Sequence, residues 1–276
     1  MSASNGELAA LALEVAREAA ALVRDRRRGE VTVAATKSSD VDIVTEADRA
    51  SEALIRDRLL ARRPDDGVLG EEGDDVPTRS GVRWIVDPID GTVNFLYGLP
   101  QYAVSIAAER RTDDRTEVVA GVVINVASGV EYVGHLADDD GPAVATRDGK
   151  PIEVRTPPAL HQRLLVTGFN YDAAIRLQQA TALVKLITGV RDVRRLGSCA
   201  LDLCHVAEGS VDGYFEEGVN LWDYAAGGLV ARIAGARFET LPGVGGTTLV
   251  VCAPSHGFDD LLTALKSAGF SPDLGE

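Results

Sequence analysis

Asp87-Pro88-Ile89-Asp90-Gly91-Thr92 follows the apolar run Val82-Arg83-Trp84-Ile85-Val86. The run reads as a buried strand and Gly91 as the head of a turn, so two carboxylates leave a strand end together. Pro88 fixes φ and donates no backbone hydrogen bond, while Gly91 lets backbone approach a ligand closely. A loop so shaped and so acidic suits a hard cation. The competing local reading is an Asx-type turn, in which the carboxylates only satisfy nearby backbone N–H groups.

Three further acidic positions stand at element ends. Asp48, three residues after Thr45, fits the reciprocal position of a capping box, and Asp223, three after Asn220, fits the same role in a later helix. Gly70-Glu71-Glu72-Gly73 follows the apolar Val68-Leu69, and a solvated turn accounts for one acid there better than for two. Cation binding gives these positions a joint explanation. Mg²⁺ takes oxygen ligands in near-octahedral geometry, through carboxylates and substrate phosphate. Paired cations can clamp the attacking water and the leaving oxygen of an in-line displacement. Gly91-Thr92 opens a helix, whose first N–H groups favour an anion.

Composition narrows the class. The 276 residues are 45% hydrophobic and 25% charged, ordinary globular usage for one large domain or two closely packed halves. Lys and Arg number 28 against 42 acids, a net charge of −14 that disfavours direct nucleic-acid binding. The basic run Arg24-Asp25-Arg26-Arg27-Arg28 reads as a solvated helix end. Cys199, Cys204 and Cys252 lack paired spacing and read as reduced, mostly buried thiols of a cytoplasmic protein. His135, His161, His205 and His256 contain no i,i+4 pair, which argues against a zinc hydrolase. No apolar run reaches the ~18 residues of a membrane span, and charged residues interrupt the N-terminal apolar pattern.

Periodicity predicts an amphipathic helix over residues 5–28 and a second beginning at Thr45, with Leu54, Ile55 and Leu59 inward. Strands are expected at Val82–Val86, Ala103–Ala108, Val118–Val126 and Val130–Val133, the last two as a hairpin. Turn residues from Arg147 to Pro158 mark a boundary between halves, 1–150 and 151–276, of a single unit. The second half alternates strands (Leu164–Thr167, Val193–Leu196, Gly213–Phe215, Thr247–Cys252) with helices (173–188, 199–208, 222–234, 256–268), the pattern of layered α/β packing.

Together these residues resemble the inositol monophosphatase family of Mg²⁺-dependent, lithium-sensitive phosphatases. The matching segments are Asp42-Ile43-Val44-Thr45-Glu46-Ala47-Asp48, Gly70-Glu71-Glu72, Trp84 through Phe95, and Trp222-Asp223-Tyr224-Ala225-Ala226-Gly227, in family order along most of the chain. The resemblance implies a five-layer αβαβα sandwich and a homodimer. It implies two to three Mg²⁺ per site, the first on Glu71, Asp87 and the Ile89 carbonyl, the second on Asp87, Asp90 and Asp223, with Glu71 helping to hold a third. It implies that Asp48 and Thr92 activate water together with Glu71, and that the Gly91 and Thr92 amides face phosphate.

For the leaving alcohol the resemblance points to Gly197-Ser198-Cys199 and Glu216, with Asp90 and Asp223 sharing that work, and to Lys37 on a loop near the third cation. Val93 and Asn170 depart from what many members carry; only Asn170 touches substrate preference. The implied substrate is inositol 1-phosphate or a similar phosphorylated polyol. Histidinol-phosphate phosphatase is the competing reading, and a regulatory partner of the transcription machinery a reading from another class. Nucleotide 3′-phosphatase or fructose-bisphosphatase activity ranks lower, because no added basic cluster stands ready for a second phosphate.

Overall fold

A computed structural model describes residues 3–29, 33–36, 43–111, 115–139 and 141–272. Its first half runs α1 (Asn5–Arg28), β1 (Val33–Thr36), β2 (Ile43–Thr45), α2 (Glu46–Arg62), β3 (Gly67–Gly70), β4 (Val82–Asp90), α3 (Thr92–Tyr97), β5 (Ala103–Arg111), β6 (Thr116–Asn125), β7 (Glu131–His135), β8 (Val144–Arg147) and β9 (Lys150–Pro151). The second half runs β10 (Leu164–Thr167), α4 (Ala173–Leu186), β11 (Asp192–Arg194), α5 (Cys199–Ala207), β12 (Gly213–Glu217), α6 (Leu221–Ile233), β13 (Ala236–Pro242), β14 (Thr248–Pro254) and α7 (Phe258–Ala268).

The helices form where caps and apolar stripes coincide. Ser4 caps α1, its hydroxyl accepting from the Glu7 amide while Glu7 accepts from the Ser4 amide. Leu8, Ala12, Val15, Ala19 and Val23 then line one buried face. Thr45 and Asp48 cap α2 in the same reciprocal way.

Strands β3 to β9 lie side by side in order as one seven-stranded sheet, parallel only between β3 and β4. A second sheet has the order β11-β10-β12-β14-β13. Alternating side chains then sort the layers. In β4, Trp84 and Val86 pack into the cluster beneath α1 and α2, while Ile85 joins a different cluster with α5 and α6. In β14, Val250 and Cys252 face α5 and α6, and Leu249, Val251 and Ala253 face α4 and α7. The result is the five-layer αβαβα sandwich, helices α5 and α6 forming its middle layer. Each fully buried Val, Leu, Ile or Phe contributes about 1.5–3 kcal/mol.

Three differences from the sequence reading bear on the architecture. The turn at Arg147–Lys150 is not a boundary in itself but the hairpin joining β8 to β9, still inside the larger sheet. Strands β8, β9 and β13, and the small β1–β2 pair, go beyond the strands expected. The strand at Val82 continues to Asp90, and its pairing with β5 jumps from Asp87↔Ser105 to Asp90↔Ala103. Three residues of β4 there oppose two of β5, a β-bulge. In a regular strand, side chains three apart point to opposite faces; the extra residue brings Asp87 and Asp90 into one pocket.

Candidate active site

The acids meet in an open pocket of ≈ 560 Å³ at the meeting of both sheets with α3, α5 and α6. Glu71, Asp87, Ile89, Asp90, Gly91, Thr92, Gly197, Cys199, Glu216 and Asp223 all line it. Ser198 lies just behind, buried, with its hydroxyl on Asp90. Asp223 arrives on the first turn of α6, where its carboxylate accepts from the Asn220 amide at 2.6 Å. That turn sits close because Gly227 leaves room: a Cβ there would stand 2.8 Å from the Ala200 carbonyl of α5.

Asp87 is buried and accepts from the Ile89 amide at 3.0 Å, so the local Asx-type contact exists alongside any other role. Burial, then the charges of Glu71, Asp90 and Asp223, push its carboxyl well above the usual range. Asp223 is raised likewise, by burial first and by Asp90 and Glu71 next. Asp90 is pushed up to about 6 by burial, against hydrogen bonds from the Ser198 hydroxyl at 2.6 Å and the Ala200 amide at 2.7 Å. Both donors bond the same oxygen, Oδ2.

Asp48 couples a helix cap to the site. Its Oδ2 accepts from the Thr45 amide at 2.8 Å, and its Oδ1 accepts from the Thr92 hydroxyl at 3.1 Å. The same hydroxyl lies 3.0 Å from the Ile89 carbonyl and holds one proton for two acceptors. Gly91 makes this corner possible: its φ is +93°, and a Cβ would stand 2.9 Å from the Gln101 carbonyl and 3.0 Å from that of Gly197. Among the described residues no side-chain cap bond forms at Gly91, the N-cap of α3.

At the opposite wall the paired acids of β12 separate. Tyr214 donates to Glu216 Oε2 at 3.0 Å, Oε1 lies against Gly168, where a Cβ would stand 1.8 Å from it, and burial raises Glu216 to about 7 against the field of Arg195. Glu217 turns away and is buried, its Oε1 accepting from the Gly245 amide at 2.7 Å and from Thr247. Asn170 stands at the rim.

The donors in this cluster are all oxygens and lie among carboxylates that burial and mutual repulsion destabilise as anions. That chemistry fits hard divalent cations. Among the described residues no three such side chains already converge as a metal cage, so the fit rests on donor chemistry.

The family model for the inositol monophosphatase family matches residues 4–267. The chain belongs to that family. The inositol-1-monophosphatase SuhB of Mycobacterium tuberculosis is 45% identical, over 94% of this chain and 93% of that protein. A Nus factor SuhB of Salmonella typhimurium is 37% identical, over 84% of this chain and 85% of that one. The extragenic suppressor protein suhB of Bartonella henselae superposes with a TM-score of 0.82 at 29% identity, covering 93% of this chain and 97% of its own. As an inositol monophosphatase family member the chain is a phosphoric monoester hydrolase, of a family generally dependent on metal.

Lys37 and Asp42, quoted for the family resemblance, lie outside the described residues. Arg195 lines the pocket without having been singled out, as do Phe169 and Tyr171. Only Arg195 carried a signal, standing two residues before Gly197. No helix among the described residues is long and apolar enough to cross a membrane.

Proposed function

We propose that the pocket hydrolyses inositol 1-phosphate, or a closely similar polyol phosphate, with two to three Mg²⁺ held by Glu71, Asp87, the Ile89 carbonyl, Asp90 and Asp223. The observation that carries this reading is the β-bulge that brings Asp87 and Asp90 into one pocket, which Glu216 also lines. Bound Mg²⁺ supplies polarisation of the phosphoryl oxygens and charge compensation for the departing alkoxide. Glu71 and Thr92 orient the attacking water, whose proton passes to the Thr92 oxygen as the Thr92 hydroxyl hands its own to Asp48 Oδ1, 3.1 Å away, and the departing alkoxide takes up a proton from solvent. Burial raises the Asp48 carboxyl and so makes its anion a stronger base. The Gly91 and Thr92 amides face the phosphate. Ser198 holds Asp90 in place, and Gly197 and Cys199 form the floor under the alcohol. The Glu216 carboxylate accepts from a substrate hydroxyl, with Asp90 and Asp223 sharing that work.

The protein works as a homodimer in the cytoplasm, as one domain over 1–276, and does not bind nucleic acid directly. A second reading is supported by the relatives named Nus factor SuhB: a contact with the transcription machinery on a surface separate from the pocket.

The test is Mg²⁺-dependent phosphate release across inositol 1-phosphate, histidinol phosphate, fructose 1,6-bisphosphate and adenosine 3′,5′-bisphosphate. The expected result is the highest kcat/KM with inositol 1-phosphate. A preference for histidinol phosphate would overturn the substrate and leave the reaction type standing.

A further inference from the structure

The first two turns of α2 place Asp48, Ser51, Glu52 and Ile55 on one face, at i, i+3, i+4 and i+7, and all four are buried. Three of them are polar, and each reaches a different segment of the pocket wall. Asp48 accepts from Thr92, and the Ser51 hydroxyl donates to the Pro88 carbonyl inside the bulge at 3.2 Å. Glu52 reaches the turn that carries Glu71: its Oε2 accepts from the Glu72 amide at 2.8 Å.

The turn is built around this carboxylate. A Cβ at Gly70 would stand 2.4 Å from Glu52 Oε1, and one at Gly73 would stand 2.7 Å from it. Glycine at both positions lets the backbone close on Glu52, which accounts for the glycines that flank the Glu71-Glu72 pair. Arg56 completes the clamp: its Nε donates to Glu52 Oε1 at 2.7 Å and its Nη1 to the Asp74 carbonyl at 2.8 Å. On the other side, the Glu71 amide donates to the Val86 carbonyl of β4 at 3.2 Å. Glu71 is thus strung between an amide fixed to the large sheet and an amide fixed to α2.

We infer that Glu52, with Arg56 as its counter-charge, is a positioning residue that holds the Gly70–Asp74 turn so that Glu71 meets the cation shared with Asp87. The inference rests on Glu71 being a cation ligand. The plainer account is a buried i,i+4 ion pair that serves α2 alone; such a pair would have no bearing on the affinity for metal. Partners standing behind metal ligands typically carry a 10–100-fold effect on metal affinity.

Calorimetric titration of Mg²⁺ into the whole protein, with amide hydrogen exchange at Glu72, separates the two accounts. The variants are the double variant Glu52→Ala with Arg56→Met, the same pair with Glu52→Gln in place of Glu52→Ala, neither of which leaves an unpaired buried cation, and Glu71→Gln as the control for the ligand itself. The expected result is Mg²⁺ affinity at least about tenfold weaker in the double variant, faster exchange at Glu72, and kcat unchanged at saturating Mg²⁺. Glu52→Gln with Arg56→Met should recover most of both losses, because its amide oxygen still accepts from Glu72 and no arginine is left facing its NH₂. Faster exchange at Glu72 with wild-type Mg²⁺ affinity would overturn the inference, as would a lowered melting temperature with neither change. If Glu71→Gln itself titrates like the wild type, the ligand assignment fails, and the inference with it.

Discussion

Asp90→Asn keeps the fold and loses phosphate release by more than about 100-fold, beyond what changes at residues behind the ligands usually cost. The Ser198 hydroxyl and the Ala200 amide both bond to Asp90 Oδ2. An Asn side chain can present its single oxygen to them, so the start of α5 stays anchored. The NH₂ group then replaces Oδ1 and offers a donor where a cation needs an acceptor. Thermal melting within a few degrees of the wild type, with turnover lost, is the expected pair of readings. Unchanged turnover would remove Asp90 from the site. The same variant, retaining any contact with the transcription machinery, would separate the two functional readings.

Glu216 gives the second large effect, on substrate affinity and its pH dependence. Burial raises its carboxyl from the ordinary 4.5 to about 7, opposed by Arg195 and by the Tyr214 hydrogen bond. The raised group is ionised above that value and takes up a proton as pH falls through it. A hydrogen bond to a charged acceptor is worth ~1.5–3 kcal/mol against ~0.5–1.5 for a neutral one, so losing the charge weakens polyol binding about tenfold. The KM for inositol 1-phosphate should therefore rise as pH falls from 8 to 6. In Glu216→Gln it should stay high across that range, near the low-pH limit of the wild type. A KM in Glu216→Gln that follows pH as the wild type does would place the titration on another group.

Much of the site was legible because its residues sit in short local motifs. Asp87, Asp90 and Gly91 belong to one hexapeptide, and Asp48 and Asp223 share the spacing of a capping box, which the structure also forms at Thr45. Capping and a second role coexist at Asp48, since one oxygen serves Thr45 and the other Thr92. The bulge that turns Asp87 and Asp90 to one side was not legible, because it exists only in the pairing of β4 with β5. The separation of Glu216 from Glu217 depends likewise on which face of β12 meets the pocket. Glu52 carried a signal without a motif: it lies four residues after Asp48, one helical turn along the same face. Strand β13 also had one, with Ala236 buried and Arg237 exposed, but a half-exposed edge strand gives a weak apolar pattern.

The central claim is that the acids at the bulge hold divalent cations. Mn²⁺ shares the preference for octahedral oxygen ligands and scatters anomalously, so it reports positions directly. Crystals grown with Mn²⁺ should show anomalous density between Glu71, Asp87 and the Ile89 carbonyl, and again between Asp87, Asp90 and Asp223. Anomalous density absent from both positions at saturating Mn²⁺, or bound only elsewhere on the protein, would contradict the account.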